Sequence, residues 1–200
     1  MCWNASVSLN TYILGLFASL FSYLNGASNI YLFIFYQSFI SMQLIEYFTW
    51  SKTFSNRLLS QISLFLIICQ PILSIINIKI LPDTIPYLLA AYIIFIVILY
   101  TIIVPLHTID FSMIQSKNGH LSWNWLKLNV YIIFIWYAFL SVRWVIDRDY
   151  LTLIVITTLL IITLILYKNT NTFGSLWCWI AAILSFHLIF EVFYKDFCKI

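Results

Sequence analysis

The feature that most limits how this chain can fold is a set of unbroken apolar runs of about twenty residues. Between Leu151 and Leu166 nothing is more polar than threonine. A helix rises about 1.5 Å per residue, so such a run matches the roughly 30 Å hydrocarbon core of a bilayer. A transmembrane barrel would need strands of roughly ten residues that alternate apolar and polar, which these runs do not. The chain is therefore predicted to be an all-α, polytopic transmembrane helix bundle.

Composition argues against a soluble globule of this size. The 200 residues are 63% apolar and only 8% charged, whereas a soluble domain carries about 25% charged residues. The net charge of +3 is small and the basic residues are scattered, so no nucleic-acid partner is predicted. The predicted partner is the lipid bilayer, and the predicted location is an integral membrane one, viral or of a host organelle.

The apolar runs predict seven spans in a single membrane domain, residues 1–200. They are residues 8–25, 29–50, 59–79, 84–106, 125–146, 150–167 and 175–194. We call the end at which the first span begins end A and the opposite end of the bundle end B. The ten lysine and arginine residues divide equally between the two ends, so the rule that basic loops stay in the cytoplasm does not orient the bundle. The oligomeric state is not encoded in any pattern that we recognise.

Tryptophan residues occur near the ends of the predicted spans, where amphipathic rings favour the membrane interface. This placement predicts an aromatic belt facing the lipid. Its members are Trp50, Trp123, Trp125, Trp144 and Trp177.

Polar residues inside two neighbouring spans predict a small polar cavity. Glu46 lies about one turn inside the second span, and an ionisable residue there costs about 3 kcal/mol on insertion scales. Gln43 lies on the same helical face. Gln70 and Pro71 lie in the middle of the third span, where a proline frees a backbone carbonyl. Glu46 is either a cation- or proton-binding carboxylate or a hydrogen-bonding partner in helix packing.

A second polar cluster is predicted near end B. His187 and Glu191 are four residues apart on the seventh span, and Arg143 lies at the same end of the fifth. An Arg143–Glu191 ion pair would let both charges enter the bundle at lower cost. The alternative is a proton relay through His187, because imidazole titrates near neutrality.

Side chains that bind zinc also collect at end A. Cys2, His107, Asp110 and His120, with Glu46 nearby, offer thiolate, imidazole and carboxylate ligands, but their spacing matches no metal motif such as HExxH. The alternative is that they are ordinary interfacial residues, and no cofactor is predicted. The last span contains no lysine that could form a Schiff base, and Lys195 only follows it, which argues against retinal.

Three short motifs carry a resemblance to a known family. They are the opening Met1-Cys2-Trp3-Asn4, the run from Met42 to Phe48 (MQLIEYF), and Gln70-Pro71. The chain resembles an uncharacterised family of small multi-pass membrane proteins from giant DNA viruses and some microbes. The resemblance implies a membrane protein without an established activity, so no catalytic residue carries over. It does direct attention to Cys2, Trp3, Gln43, Glu46, Gln70 and Pro71.

Three functions follow from these patterns. The leading hypothesis is a non-enzymatic transporter- or channel-like bundle that passes a small ion or solute, with its cavity around Glu46 and Gln70. It predicts a polar path from Glu46 to His187 at the other end. The first alternative is a membrane-embedded, metal-dependent hydrolase that uses His107, Asp110 and His120. The second is a structural or assembly protein of a viral or organellar membrane.

Overall fold

The structure is a computed structural model that describes residues 4–103, 110–126, 130–170, 172 and 177–197. Within these residues it contains seven α-helices and one short hairpin, whose strands are β1 (Met113–Gln115) and β2 (Leu121–Trp123). A π-helical turn, Leu99–Ile103, continues the fourth helix. The helices are α1 (Ala5–Leu24), α2 (Ile30–Ser51), α3 (Asn56–Ile76), α4 (Ile85–Ile98), α5 (Val130–Ile146), α6 (Tyr150–Tyr167) and α7 (Trp177–Phe197).

Each predicted span corresponds to one of these helices, but the count of seven spans is not supported by length and composition. Among the described residues, four helical stretches are long and apolar enough to cross a membrane: α1, α3, α6 and the stretch Pro82–Thr101 that includes α4. Helix α2 is long enough, but it carries Gln37, Gln43 and Glu46. The apolar parts of α5 and α7 that the structure describes are shorter.

Helix starts are fixed by local side-chain caps. The Asn4 side chain accepts a hydrogen bond from the Val7 N–H at 2.9 Å, and the Asn29 side chain accepts one from the Leu32 N–H at 2.8 Å. Asp149 caps α6 in the same way through the Thr152 N–H at 3.2 Å. Because the first N–H groups of a helix have no partner within it, these oxygens fix where each helix begins.

Helix α2 lies at the centre of the bundle. It contacts α1, α3 and α7, while α3 also contacts α4 and α5, and α6 packs on α5. The turns after α3 and α5 meet at end B, where the Asp147 carboxylate accepts hydrogen bonds from the Lys79 and Ile80 N–H groups at 2.9 and 3.1 Å. This contact holds the two helix pairs α3–α4 and α5–α6 together at that end.

Helices α1 and α2 approach closely because α1 presents small residues to α2. The buried residues of α1 are all small: Ser8, Gly15, Ala18, Ser19 and Ser22. A Cβ placed on Gly15 would lie 2.8 Å from Cγ1 of Ile40, so only glycine fits this crossing. Small residues of this kind allow close packing in membrane helices, where the hydrophobic effect does not drive helix association.

The connection between α4 and α5 contains the β-hairpin, which the sequence analysis treated only as a loop. Its outer strand is paired by a side chain: the Asn56 amide donates to the Met113 carbonyl at 2.7 Å and accepts from the Met113 N–H at 2.8 Å. The turn at Gly119 has a φ of +82°, which glycine adopts without strain. Asn56, the first residue of α3, thereby ties the hairpin to end A.

The prediction of a lipid-facing aromatic belt is wrong for three of its five tryptophans. Trp123, Trp125 and Trp144 are only 0%, 5% and 4% exposed. Trp123 and Trp125 stack on each other with ring centroids 5.3 Å apart, and Trp144 packs edge-on against Phe35 in the interior. Trp144 lies near the end of α5, as predicted, whereas Trp123 belongs to strand β2 and Trp125 to the 3₁₀ turn Asn124–Leu126 that follows it.

Candidate functional sites

The predicted cavity around Gln43, Glu46 and Gln70 is closed in this structure. All three residues are 0% exposed, so none of them is in contact with a space large enough for water. The Gln70 side chain donates a hydrogen bond to the Ser38 carbonyl at 3.3 Å, which links α3 to α2. All three side chains therefore belong to the packed interior, and Gln70 takes part in the packing of α3 against α2.

The predicted polar path to His187 is also interrupted. The space between α2, α5, α6 and α7 is lined mainly by apolar side chains, including Phe35, Phe39 and Leu140, each at most 2% exposed, which leave a cavity of only about 10 Å³. Phe35 and Phe39 pack edge to face with centroids 5.1 Å apart. In this conformation the described residues between the two polar clusters therefore form an apolar barrier.

Pro71 lies inside α3, as predicted, and the carbonyls that it disturbs have partners on other helices. The Trp136 indole N–H donates to the Ile67 carbonyl at 3.0 Å, and the Tyr92 hydroxyl donates to the Ile68 carbonyl at 2.9 Å. One turn further on, the Ser74 hydroxyl donates to the Leu140 carbonyl at 2.6 Å. The proline region is thus a packing centre for α3, α4 and α5.

A charged cavity lies at end B, where the sequence predicted the cluster of Arg143, His187 and Glu191. All three residues line one cavity of about 260 Å³. A cavity needs only about 10–15 Å³ to hold one water, so this one admits a group of several non-hydrogen atoms. Further side chains with polar or charged groups also line it, among them Tyr36, Lys79, Asp147, Asp149 and Thr152.

The ion pairing within this cluster differs from the prediction. Arg143 lies 3.5 Å from Asp147, four residues along the same helix, and does not pair with Glu191. The other Asp147 oxygen accepts the Lys79 and Ile80 N–H groups, which fixes the carboxylate beside Arg143. Arg143 is only 8% exposed. Its buried positive charge is therefore stabilised by Asp147 and by any anionic group that enters the cavity.

His187 and Glu191, four residues apart on α7, pair with each other, a pair that the sequence analysis did not predict. The His187 Nε2 lies 3.5 Å from a Glu191 carboxylate oxygen, and each side chain is more than one third exposed. Exposure of this kind leaves both groups accessible to solvent or ligand. The proton relay through His187 stays a prediction.

An apolar groove between α6 and α7 adjoins the charged cavity. Its volume is about 180 Å³, and its walls include Leu151, Val155 and Leu159 from α6 and Ile180 and Ile183 from α7. Thr152, Leu184 and His187 line both the groove and the cavity. The charged and apolar spaces are therefore neighbours that share a wall.

The predicted metal ligands lie partly outside the described residues, which exclude Cys2 and His107. Asp110 is exposed and accepts a hydrogen bond from the Asn124 side chain at 2.9 Å. His120 is 6% exposed and packs edge-on against Tyr167 with centroids 5.6 Å apart. Burial lowers the pKa of His120. No group of three His, Cys, Asp or Glu side chains meets within the described part of the chain, and the zinc site stays a prediction.

Several residues of the charged cavity were not predicted from the sequence. They are Tyr36, Lys79, Asp147 and Asp149. The Asp-Arg-Asp turn directly after an apolar span was a usable signal, because a carboxylate at a helix end often caps a neighbouring N–H group. Its partner, the turn after α3, lies 67 residues away along the chain and could not be inferred from spacing.

Comparison of the chain with protein-family models, curated proteins and solved structures found no match. The resemblance to small multi-pass membrane proteins of giant DNA viruses therefore stays a prediction.

Proposed function

We propose that the chain is a seven-span integral membrane protein, without enzymatic activity, that binds a small polar or ionic group in the charged cavity at end B. The observation that carries the proposal is the cavity itself. Five charged side chains and a histidine line about 260 Å³ of space in a chain with only 8% charged residues. A transporter-like protein that is open at end B and closed at the Gln43–Gln70 layer fits this arrangement.

Exposed apolar side chains support insertion into a membrane. Large apolar residues are exposed along the outward faces of the helices, as with Phe65 at 64%, Ile94 at 60% and Ile165 at 74%. Soluble monomers rarely expose contiguous apolar surface on this scale. Lipid is the environment that stabilises it.

The burial pattern of α2 supports a seventh crossing despite its polar residues. Gln43 and Glu46 are fully buried, so they never meet lipid and their insertion cost is reduced by protein contacts. Because α2 contacts α1, α3 and α7, it can cross the bilayer shielded by helices that are themselves apolar.

Topology is tested by side-specific labelling of single cysteines in a background in which the four native cysteines are serine. Thr53→Cys lies in the turn after α2 at end A, and Asn25→Cys and Asp83→Cys lie in the turns at end B; all three positions are exposed. Seven crossings predict that an impermeant maleimide labels the last two from one face and Thr53→Cys from the other. Labelling of Asn25→Cys and Thr53→Cys from the same face would remove α2 from the membrane.

Access to the cavity is tested by the same method. Thr152→Cys on the cavity wall should react with the impermeant maleimide from the end-B face. Ser63→Cys, at a fully buried position in α3, is the matched control and should stay unlabelled. Equal protection of both positions in membranes would contradict a solvent-accessible site at end B.

The hydrolase and the structural or assembly protein remain alternatives. A hydrolase requires Cys2 or His107 to join Asp110 and His120 around a metal. Zinc bound at one equivalent and lost in His120→Asn would favour it. Protection of the cavity position, with correct topology, would favour a purely structural role.

A further inference from the structure

The proposed function leaves open what the end-B cavity binds, and the groove beside it identifies a chemical class. We propose that the cavity and the α6–α7 groove together bind one phospholipid with a zwitterionic head group that carries a primary amine, of the phosphatidylethanolamine class. The head group lies in the cavity and one acyl chain lies in the groove. This inference rests on the proposed function, because it uses the same cavity.

The groove has the dimensions and the chemistry of a site for an acyl chain. Its α6 wall extends from Leu151 to Leu159, which is about 12 Å of helix at 1.5 Å per residue. Half of a bilayer core is about 15 Å thick, so the groove runs inward from end B over most of one leaflet. Leu151 and Val155 are 73% and 38% exposed, so the groove is open to the surrounding lipid.

Head and chain belong to one ligand because the two spaces share Thr152, Leu184 and His187. Only an amphiphile fills both. A soluble ion would leave the groove empty, and a hydrocarbon would leave the charged groups of the cavity without a partner.

The charges of the cavity select the head group. Lys79 and Arg143 face three carboxylates, those of Asp147, Asp149 and Glu191, so apart from His187 the charged residues of the lining carry an excess of one carboxylate. A phosphate can bind Lys79 and Arg143, while the excess carboxylate favours a cationic amine. A primary ammonium donates hydrogen bonds to carboxylates, which a quaternary ammonium cannot, and the anionic head group of phosphatidylglycerol carries no cation.

Arg143 independently supports a ligand in the cavity. It is 8% exposed, and its Nε has an ion-pair neighbour at 3.5 Å but makes no hydrogen bond within the described residues. A buried guanidinium N–H without a hydrogen bond is costly, and a phosphate oxygen entering the cavity would supply the acceptor.

Native mass spectrometry of the full chain in a mild detergent tests the proposal. The protein is incubated separately with dioleoyl phosphatidylethanolamine, phosphatidylglycerol and phosphatidylcholine, and the retained lipid is counted. We expect one phosphatidylethanolamine per chain, retained about tenfold more than either other lipid. Val155→Trp fills the groove and should reduce retention about tenfold. Ile154→Trp, the adjacent 62% exposed position outside the groove, should leave it unchanged.

Charge selection is tested by the Asp149→Asn/Glu191→Gln double variant, which should lose the preference for phosphatidylethanolamine over phosphatidylglycerol. Equal retention of all three lipids, unaffected by Val155→Trp, would overturn the proposal as annular lipid only. Free phosphoethanolamine that binds alone, with no retained lipid, would overturn the acyl-chain part and leave the end-B site standing. If neither binds to helical, folded protein, the lipid proposal fails, and the Thr152→Cys labelling then decides the proposed function separately.

Discussion

The Trp136 indole donates a hydrogen bond across the bundle to the Ile67 carbonyl, four residues before Pro71, at 3.0 Å. In an unbroken helix that carbonyl would accept the N–H of residue 71, and proline has none. Trp136 is 8% exposed, so the bond lies in the interior. Helix α5 thus supplies the donor that the sequence of α3 removes, and this couples the two helices at one backbone atom.

Trp136→Phe should destabilise the protein chiefly through this carbonyl. Phenylalanine keeps most of the packing but has no donor, so the Ile67 oxygen loses its partner, at about 1–3 kcal/mol. In the Pro71→Ala background the alanine N–H can satisfy the same carbonyl. The loss on Trp136→Phe should then be smaller by about 1 kcal/mol. Reversible unfolding in mixed micelles, followed by circular dichroism, measures the cycle.

Tyr92→Phe is the matched control for this cycle, because it removes the donor to the neighbouring Ile68 carbonyl. If Trp136→Phe costs the same with and without Pro71, the indole stabilises the bundle only by packing, and the account of the proline carbonyl is wrong.

Gly15→Ala should weaken the α1–α2 contact. The new methyl would lie 2.8 Å from Cγ1 of Ile40, closer than real contacts allow, and overpacking of this kind costs about 1–3 kcal/mol. Ile40→Ala removes the atoms that clash, so adding Gly15→Ala to it should be neutral or stabilising. The unfolding free energies of the single and double variants measure the coupling, and additive costs would contradict a steric cause.

The helices were predicted well, because the length of each apolar run indicates the length of the helix. The ends of α6 were predicted at residues 150 and 167, where the structure has them. The predicted start of α5 at residue 125 falls within a 3₁₀ turn, Asn124–Leu126, and the next three residues, 127–129, lie outside the described part of the chain. Propensity and hydropathy cannot separate such a turn from the helix that follows.

What an inward-facing side chain meets was the part that could not be predicted from the sequence. Glu46 and Gln43 were correctly placed on an inward face, because lipid would penalise them. Whether that face meets a cavity or a packed neighbour depends on the volume that α1, α3 and α7 fill. The same holds for Trp123, whose ring is buried although the residue lies in strand β2 of a hairpin that periodicity does not reveal.

Asp147→Asn should destabilise end B by more than is usual for a substitution in a turn. One carboxylate oxygen of Asp147 pairs with Arg143, and the other accepts hydrogen bonds from two backbone N–H groups. Leaving the guanidinium buried without this neighbour costs about 3 kcal/mol, the lower part of the range for buried pairs, because both groups also line a cavity. The change in unfolding free energy is measured as above.

Asp149→Asn is the matched control for Asp147, with the same change of charge two residues away. It should cost little stability, since asparagine caps a helix about as well as aspartate and the Asp149 side chain accepts one backbone N–H at the start of α6. Adding Arg143→Met to Asp147→Asn should recover part of the loss, because no charge is then left buried. A loss as large for Asp149→Asn as for Asp147→Asn would mean that net charge, and not the pair, sets the stability.

His120 should make stability depend on pH at the hairpin. Burial against Tyr167 lowers its pKa below the usual 6.5, so between the two values the unfolded chain binds a proton that the folded hairpin does not. Stability is then complete above pH 6.5 and falls as the pH decreases below it. His120→Phe keeps a ring beside Tyr167 but cannot be protonated, so its unfolding free energy should fall less than that of the wild type between pH 7 and pH 5. His187→Gln, at the other end of the bundle, should keep the wild-type loss. If His120→Phe follows the wild-type curve, the acid sensitivity of the bundle arises elsewhere, and the His120 ring is not held neutral by its burial.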